Sequence, residues 1–296
     1  MAAAGRPAAA THHNEDMAMK FVILTDTHLV TPGRLLYGLD PAARLAAAVR
    51  VINRDHPDIA FVIVTGDLAH WGEAAAYREL KRVLDGLAAP LILMMGNHDR
   101  RAPLRAVFPD TDDDGNGFVQ SIRTFPAATI VTLDTADEES RTHVGLLCPA
   151  RLDFLDQALA EAPSDRPLLL FQHHPPFDTG LPSLDRIRLR NPEALWTVFE
   201  KRRRPDHMFF GHVHRPITGT WRGVPFHIQR ATNHQVAFDL LSEKIPGSLE
   251  APDYSLVQVT PEGLVIHQRP FLYDGPVYWL HDRAAQDAPD ATALAG

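Results

Sequence analysis

Between Lys20 and Gly211 the chain repeats one rhythm, and few architectures accommodate it. A short apolar run gives way to a polar turn and then to an amphipathic stretch, and the cycle begins again. "FVILTD" (21–26) precedes "DPAARLAAAVRVINRD" (40–55), which reads as a helix started by Asp40 with Pro41 at its first position. "IAFVIVTGD" (59–67) precedes a helical "EAAAYRELKRVLDGL" (73–87), and "PLILMMGNHD" (90–99) precedes a short helical piece near 101–108. "AATIVTLDT" (127–135) precedes "PARLDFLDQALAEA" (149–162), "PLLLFQHH" (167–174) precedes "NPEALWTVFEKRRR" (191–204), and "DHMFFGHVH" (206–214) follows. The runs are apolar at consecutive positions, which predicts strands covered on both faces, and their spacing predicts βα units. After Pro216 the pattern becomes β-rich, with hairpins turning at Arg222-Gly223 and at Pro261-Glu262-Gly263. This C-terminal quarter is expected to be a second sheet packed on the first.

The 296 residues, 45% hydrophobic, suffice for one large core or one domain with an appendage. A net charge of -8 argues against a grip on extended nucleic acid, which requires Lys and Arg to neutralise phosphates. Cys148 is the single cysteine, so no intramolecular disulfide forms, which fits a cytoplasmic location. No apolar run approaches the ~20 residues that span a bilayer, so no membrane partner is expected. Residues 1–17 read as a disordered leader without a secretory apolar region, and 284–296 as a disordered tail. The acidic "DTDDDGNG" (110–117) lacks the bidentate Glu of a calcium loop and reads as exposed.

The 16 histidines are not scattered evenly, and several stand where apolar runs stop. In an open α/β sheet, ligands bind at the carboxyl ends of strands. Five such ends carry Asp26 and His28, Asp67, Asn97, a histidine of the pair His173-His174, and His212 and His214. All are oxygen or nitrogen donors suited to borderline or hard divalent metals. Asp26 and His28 are two apart, as are His212 and His214, so in an extended segment each pair shares one side. Seven candidates suit two metal ions sharing a bridging carboxylate, and Asp67 is the natural bridge. His173 comes first after its buried run, in the position where the other strand ends supply ligands.

The series D-x-H, G-D, G-N-H-D, H-H-P-P and G-H-x-H, in this order, resembles the calcineurin-like metallophosphoesterases over roughly residues 20–235. The resemblance implies a four-layer αββα sandwich, with a catalytic domain over 18–240. Residues 241–283 would then be a β-rich extension completing the second sheet or making a dimer contact. It implies that Asp26, His28 and His214 hold one metal, that Asn97, His173 and His212 hold the other, and that Asp67 bridges them. The metals would be iron, manganese, zinc or cobalt. It also places the ligand two residues before the first proline, which is His173. His98 would be catalytic, facing the phosphate and the leaving oxygen. Its neighbour Asp99 would orient it or cap the following helix.

"GDLAHWG" and "GNHD" depart from the protein Ser/Thr phosphatase pattern. "ILTDTHL" with "LLYGLDPAARL" resembles the class III cyclic-nucleotide phosphodiesterases and their glycerophosphodiesterase relatives, a group that often dimerises through its C-terminal part. The implied activity is hydrolysis of a small phosphodiester such as 3',5'- or 2',3'-cAMP by a hydroxide held between two metals. The alternatives are a glycerophosphodiesterase, a broad phosphomonoesterase, or a non-catalytic metal-bound scaffold. His174, His234 and Tyr37 are candidate substrate contacts, with Arg34 beside Tyr37. His70 is expected to support the site or lie at the surface. His143 and His207 are expected to be packed or solvated.

Overall fold

The computed structural model describes residues 18–140, 142–275, 277–281 and 283–286. The expected leader, 1–17, and the tail from 287 onward lie outside the described residues, while Arg283–Gln286 forms one short helical turn.

The first sheet begins with β1 (Met19–Leu24), continues through β2 (Val62–Val64) and β3 (Leu91–Leu93), and all three run parallel. Helices α1 (Pro41–Asp55), α2 (Ala74–Leu84) and α3 (Arg101–Val107) make the connections. Asp40 caps α1 by accepting from the Ala43 N–H at 3.1 Å, with Pro41 next, where its missing N–H costs nothing. The second sheet comes from the middle of the chain. It comprises β4 (Ser121–Thr124), β5 (Thr129–Leu133), β6 (Leu168–Gln172), β7 (His207–Phe210), β9 (Val224–Ile228) and β8 (Ile217–Trp221), adjacent in that order. Helices α4 (Pro149–Glu161), α5 (Pro182–Asp185) and α6 (Pro192–Lys201) follow β5 and β6.

The consecutive apolar runs have a direct physical reason. Val22, Leu24, Val62 and Val64 pack outward with Leu45, Ile52 and Leu80 of α1 and α2. Phe21, Ile23, Phe61 and Ile63 pack inward against Ile130, Leu169, Phe171 and Phe209 of the second sheet. Phe21 stacks on Phe61 at 4.8 Å and meets Phe171 edge-on at 6.0 Å, while Phe171 stacks on Phe209 at 4.5 Å. Leu170, Met208 and Phe210 face Leu155, Leu195 and Phe199 on the far side. The layers are therefore helix, sheet, sheet, helix.

The C-terminal strands differ from expectation. The hairpin β8–β9 extends the second sheet through β9, parallel to β7. The hairpin of β12 (Asp253–Thr260) and β13 (Gly263–Pro270) instead completes the first sheet, because β12 pairs antiparallel with β1, from Met19↔Val259 to Ile23↔Ser255. With β2 on one side of β1, the other edge would leave buried N–H and C=O groups unpaired, and β12 supplies them. Tyr254 and Phe271 bury into the α1–α2 layer, so this segment is part of the core rather than an appendage to it. A two-stranded ribbon, β10 (Gln235–Val236) with β11 (Gly247–Ser248), stands apart from both sheets.

Candidate metal centre

The parallel strands β1 and β2 end together, and their exit loops stay side by side. Asp26 N–H donates to the Gly66 carbonyl at 3.0 Å, His28 to Asp67 at 2.9 Å and Leu29 to Leu68 at 2.9 Å. Asp26, His28, Asp67, His212 and His214 all have φ between 45° and 69°, in the left-handed region. This replaces the expected mechanism for pairing Asp26 with His28. The two share a side through turned backbone, not through strand alternation. Each such residue costs about 1–2 kcal/mol of strain, which persists where surrounding structure over-determines it and which gathers at functional sites. Gly66, at φ +105, has no room for a side chain: a Cβ there would sit 2.6 Å from His173 Nδ1 and 2.7 Å from Gly96 N.

The candidate ligand atoms converge. Asp26, His28, Asp67 and His214 bring one donor each within 4.8 Å of one another, all buried, and His212 clusters with His173 and His174 in the same way. Asp67 Oδ2 lies 3.6 Å from His28 Nε2 and 3.4 Å from His173 Nε2, so one carboxylate stands between the two groups. Asp26 Oδ2 is held by the Thr25 hydroxyl at 2.8 Å and the His212 N–H at 3.1 Å, which leaves Oδ1 toward His214 Nε2 at 3.2 Å. Asn97 Oδ1 accepts from His212 Nδ1 at 2.9 Å.

Hydrogen bonds assign the free end of several rings. His173 Nδ1 donates to the Thr65 carbonyl and His214 Nδ1 to the His234 carbonyl, each at 2.8 Å, and a carbonyl can only accept. Both Nε2 atoms therefore point at the carboxylates. His28 Nδ1 meets His70 Nδ1 at 3.1 Å. Outer partners of this kind orient metal-binding imidazoles.

The electrostatics fit a cation site. Burial opposes a charge on His173, but Asp67 and Asp26 outweigh it and raise the imidazole to about 9. Burial works against His214 in the same way, and Asp26 raises it. Burial favours a neutral Asp67, yet His173 and its neighbours hold this carboxyl well below the usual range. Burial pushes His28 and His212 well below 6.5, so both rings offer lone pairs. Among the described residues, Asp26 Oδ1, His173 Nε2 and His212 Nε2 are buried without a hydrogen-bond partner, a costly arrangement that divalent cations would resolve. The residues present thus fit metal ions.

His98 sits beside this cluster. Its Nδ1 donates to the His70 carbonyl at 2.7 Å, which leaves Nε2 free, 4.0 Å from Asp67 Oδ2. Asp99 does neither thing expected of it. Its carboxylate accepts the N–H groups of Leu68, Ala69 and Gly96 and the Tyr77 hydroxyl at 2.9–3.1 Å, stapling the exits of β2 and β3 together. Asp134, at the end of β5, takes a bidentate pair from Arg101 at 2.8 Å, which ties the start of α3 to the second sheet.

His174, expected as a substrate contact, does not line the cavity over the cluster. It is wholly buried, with Nδ1 on the Thr135 hydroxyl at 2.7 Å and Nε2 on the His143 carbonyl at 3.2 Å. His234 and Tyr37, 4.7 Å apart, line the cavity of about 550 Å³ that opens over the cluster. Arg34 is not among the lining residues; its guanidinium lies over the Trp71 ring. Of two further lining histidines, His143 carries no sequence pattern, while His70 takes the first of the two places expected of it, supporting the site. His143 Nδ1 is 2.8 Å from Asn97 Nδ2 and its ring stands 4.8 Å from His98, while His70 supports both His28 and His98. For His70 the adjacency to Asp67 was the one available signal.

A family model described as calcineurin-like phosphoesterase matches residues 19–216. A probable cyclic nucleotide phosphodiesterase of Rhodopseudomonas palustris is 64% identical over 268 residues, covering 90% of this chain and 98% of the relative. A probable glycerophosphodiester phosphodiesterase of Arcobacter nitrofigilis is 31% identical over 84% of this chain and 92% of its own length. Among solved structures, a dimetal phosphatase from Danio rerio shares the fold, with a TM-score of 0.65 at 16% identity over 86% of this chain and 96% of that one. No helix among the described residues is long and apolar enough to cross a membrane. Matched across most of its length, with a relative similar nearly end to end, this chain belongs to the calcineurin-like phosphoesterase family and is a phosphoesterase.

Proposed function

We propose that the protein is a metal-dependent phosphodiesterase acting on small phosphodiesters, cyclic nucleotides foremost. The observation that carries this reading is Asp67 Oδ2 standing between His28 Nε2 and His173 Nε2, at 3.6 and 3.4 Å, as a shared carboxylate between two donor groups. Asp26, His28 and His214 would hold one ion and Asn97, His173 and His212 the other, with Asp67 common to both. Iron, manganese, zinc and cobalt all accept such donors. Two such ions, when bound, supply water activation and neutralisation of phosphate charge.

The chain's own groups do the rest. His98, anchored at Nδ1 by the His70 carbonyl, presents Nε2 to the cavity, where in protonated form it donates to the departing alkoxide. Asn97 and His143, paired at 2.8 Å, form the wall beside it. The Rhodopseudomonas relative supports cyclic nucleotides as substrates, and the Arcobacter relative supports glycerophosphodiesters as the second reading.

The test compares a chromogenic diester, bis(p-nitrophenyl) phosphate, with the corresponding monoester, with and without manganese. Manganese-dependent release, faster from the diester, is expected. Faster release from the monoester would make the protein a phosphomonoesterase, and no metal-dependent release from either would end the enzymatic reading.

A further inference from the structure

The cavity over the metal centre has two unlike halves. One half is the histidine cluster. The other consists of Leu184, Ile187, Val236, Ile245 and Leu249 together with Gln235, Gly247 and Ser248, and among the described residues it contains no charged side chain. The β10–β11 ribbon builds most of this wall through the pairs Gln235↔Ser248 and Val236↔Gly247, closed by the Ala237 N–H on the Pro246 carbonyl at 2.7 Å. The ribbon is tied to the catalytic half, because the residue preceding it, His234, gives its carbonyl to His214 Nδ1.

Two features of the wall are unsatisfied. Ile245 and Leu249 are 52% and 66% exposed, so aliphatic surface stays in water beside a polar site until something covers it. Gln235 is buried, and its Nε2 donates to the Ala231 carbonyl at 2.7 Å. That carbonyl only accepts, so it fixes the orientation of the amide and leaves Oε1, among the described residues, a buried acceptor without a partner.

We propose that this wall is the subsite for the base of a nucleotide substrate, with Ile245 and Leu249 covering the ring and Gln235 Oε1 accepting from a base N–H. This rests on the phosphodiesterase reading above and names the arm that the site selects. A glycerol arm would leave the aliphatic wall wet, and a choline or ethanolamine arm would find no carboxylate there. A flat ring with an N–H donor meets both requirements.

The test measures binding of AMP, ribose 5-phosphate and inorganic phosphate to the manganese-loaded protein by calorimetry, so it does not depend on turnover. AMP should bind about tenfold more tightly than ribose 5-phosphate, the discrimination a modest apolar pocket provides. The exposed double substitution Ile245→Asn with Leu249→Asn should close that gap while phosphate affinity stays within about twofold. Gln235→Met should weaken AMP and spare ribose 5-phosphate. Equal binding of AMP and ribose 5-phosphate to the unaltered protein, or a gap that survives the double substitution, overturns the subsite. Weakening of both ligands alike by Gln235→Met removes the role given to its acceptor. A protein that shows the AMP preference yet hydrolyses no diester keeps the subsite and loses the enzymatic reading, so the two failures are distinguishable.

Discussion

The Nδ1 of His173 is committed to the Thr65 carbonyl, so its Nε2 faces Asp67 and Asp26. The next ring, His174, has both nitrogens committed, to Thr135 and to the His143 carbonyl. Two adjacent histidines of equal burial therefore differ entirely in what they can bind. Metal analysis of the single alanine variants should find metal lost from His173→Ala and retained in His174→Ala. The second variant should still be less stable by about 1–3 kcal/mol, because it takes the partner from the buried Thr135 hydroxyl. Loss of metal from His174→Ala alone would reverse the assignment. His98 is tested differently. His98→Ala should keep its metal and lose about 10²–10⁴-fold in kcat, the usual contribution of a general acid. If that variant arrives without metal, His98 is a ligand and not a proton donor.

At the scale of elements, the site is held by loops that are stapled rather than by the strands themselves. Asp99 collects three backbone N–H groups and a phenol from β2's exit, β3's exit and α2. Burial and Asp67 raise this carboxyl to about 6, and Tyr77, raised in turn by burial and by Asp99, stays a donor. Asp99→Ala would strand four donors in the interior. It should cost about 3 kcal/mol or more in urea unfolding, with metal affinity falling in parallel. An Asp99→Ala protein of unchanged stability would show that the staple carries no weight. Little of this was legible in the sequence. The runs of β1, β2, β5, β6 and β7 were readable because helices cover one face and the opposite sheet the other, which removes alternation. The edge strand β4, "SIRT", has no apolar run to find. The candidate ligands were readable as a group because they cluster at strand ends in a fixed order. His143 was not, since only tertiary packing brings its loop to Asn97. "YSLVQVT" says strand but not whose edge it fills, and only the pairing of β12 with β1 puts the hairpin in the first sheet rather than the second.

At the scale of the whole molecule, the centre sits where two sheets from different parts of the chain meet, so metal and fold stability are one problem. Ions that bind the folded chain and not the unfolded one add about 4 kcal/mol at a thousandfold excess over Kd. The dependence on pH has a definite sign. In the metal-free protein the folded His173 is raised from 6.5 to about 9 by its carboxylates. A raised imidazole contributes stability that is fully present below the unfolded value and lost as pH rises through the folded one. His214 is raised too and acts in the same direction. If His173 and His214 hold metal, as proposed, these protons would already be displaced in the metal-loaded protein, so the same rise in pH would remove nothing there and would instead relieve proton competition for the two rings. The Tm difference between manganese-saturated and chelator-treated protein should therefore widen between pH 6.5 and about 9. Paired thermal scans across that range measure it. A difference that stays constant or narrows would mean that neither His173 nor His214 gives up a proton to metal, and the ligand set proposed for both ions would have to be redrawn.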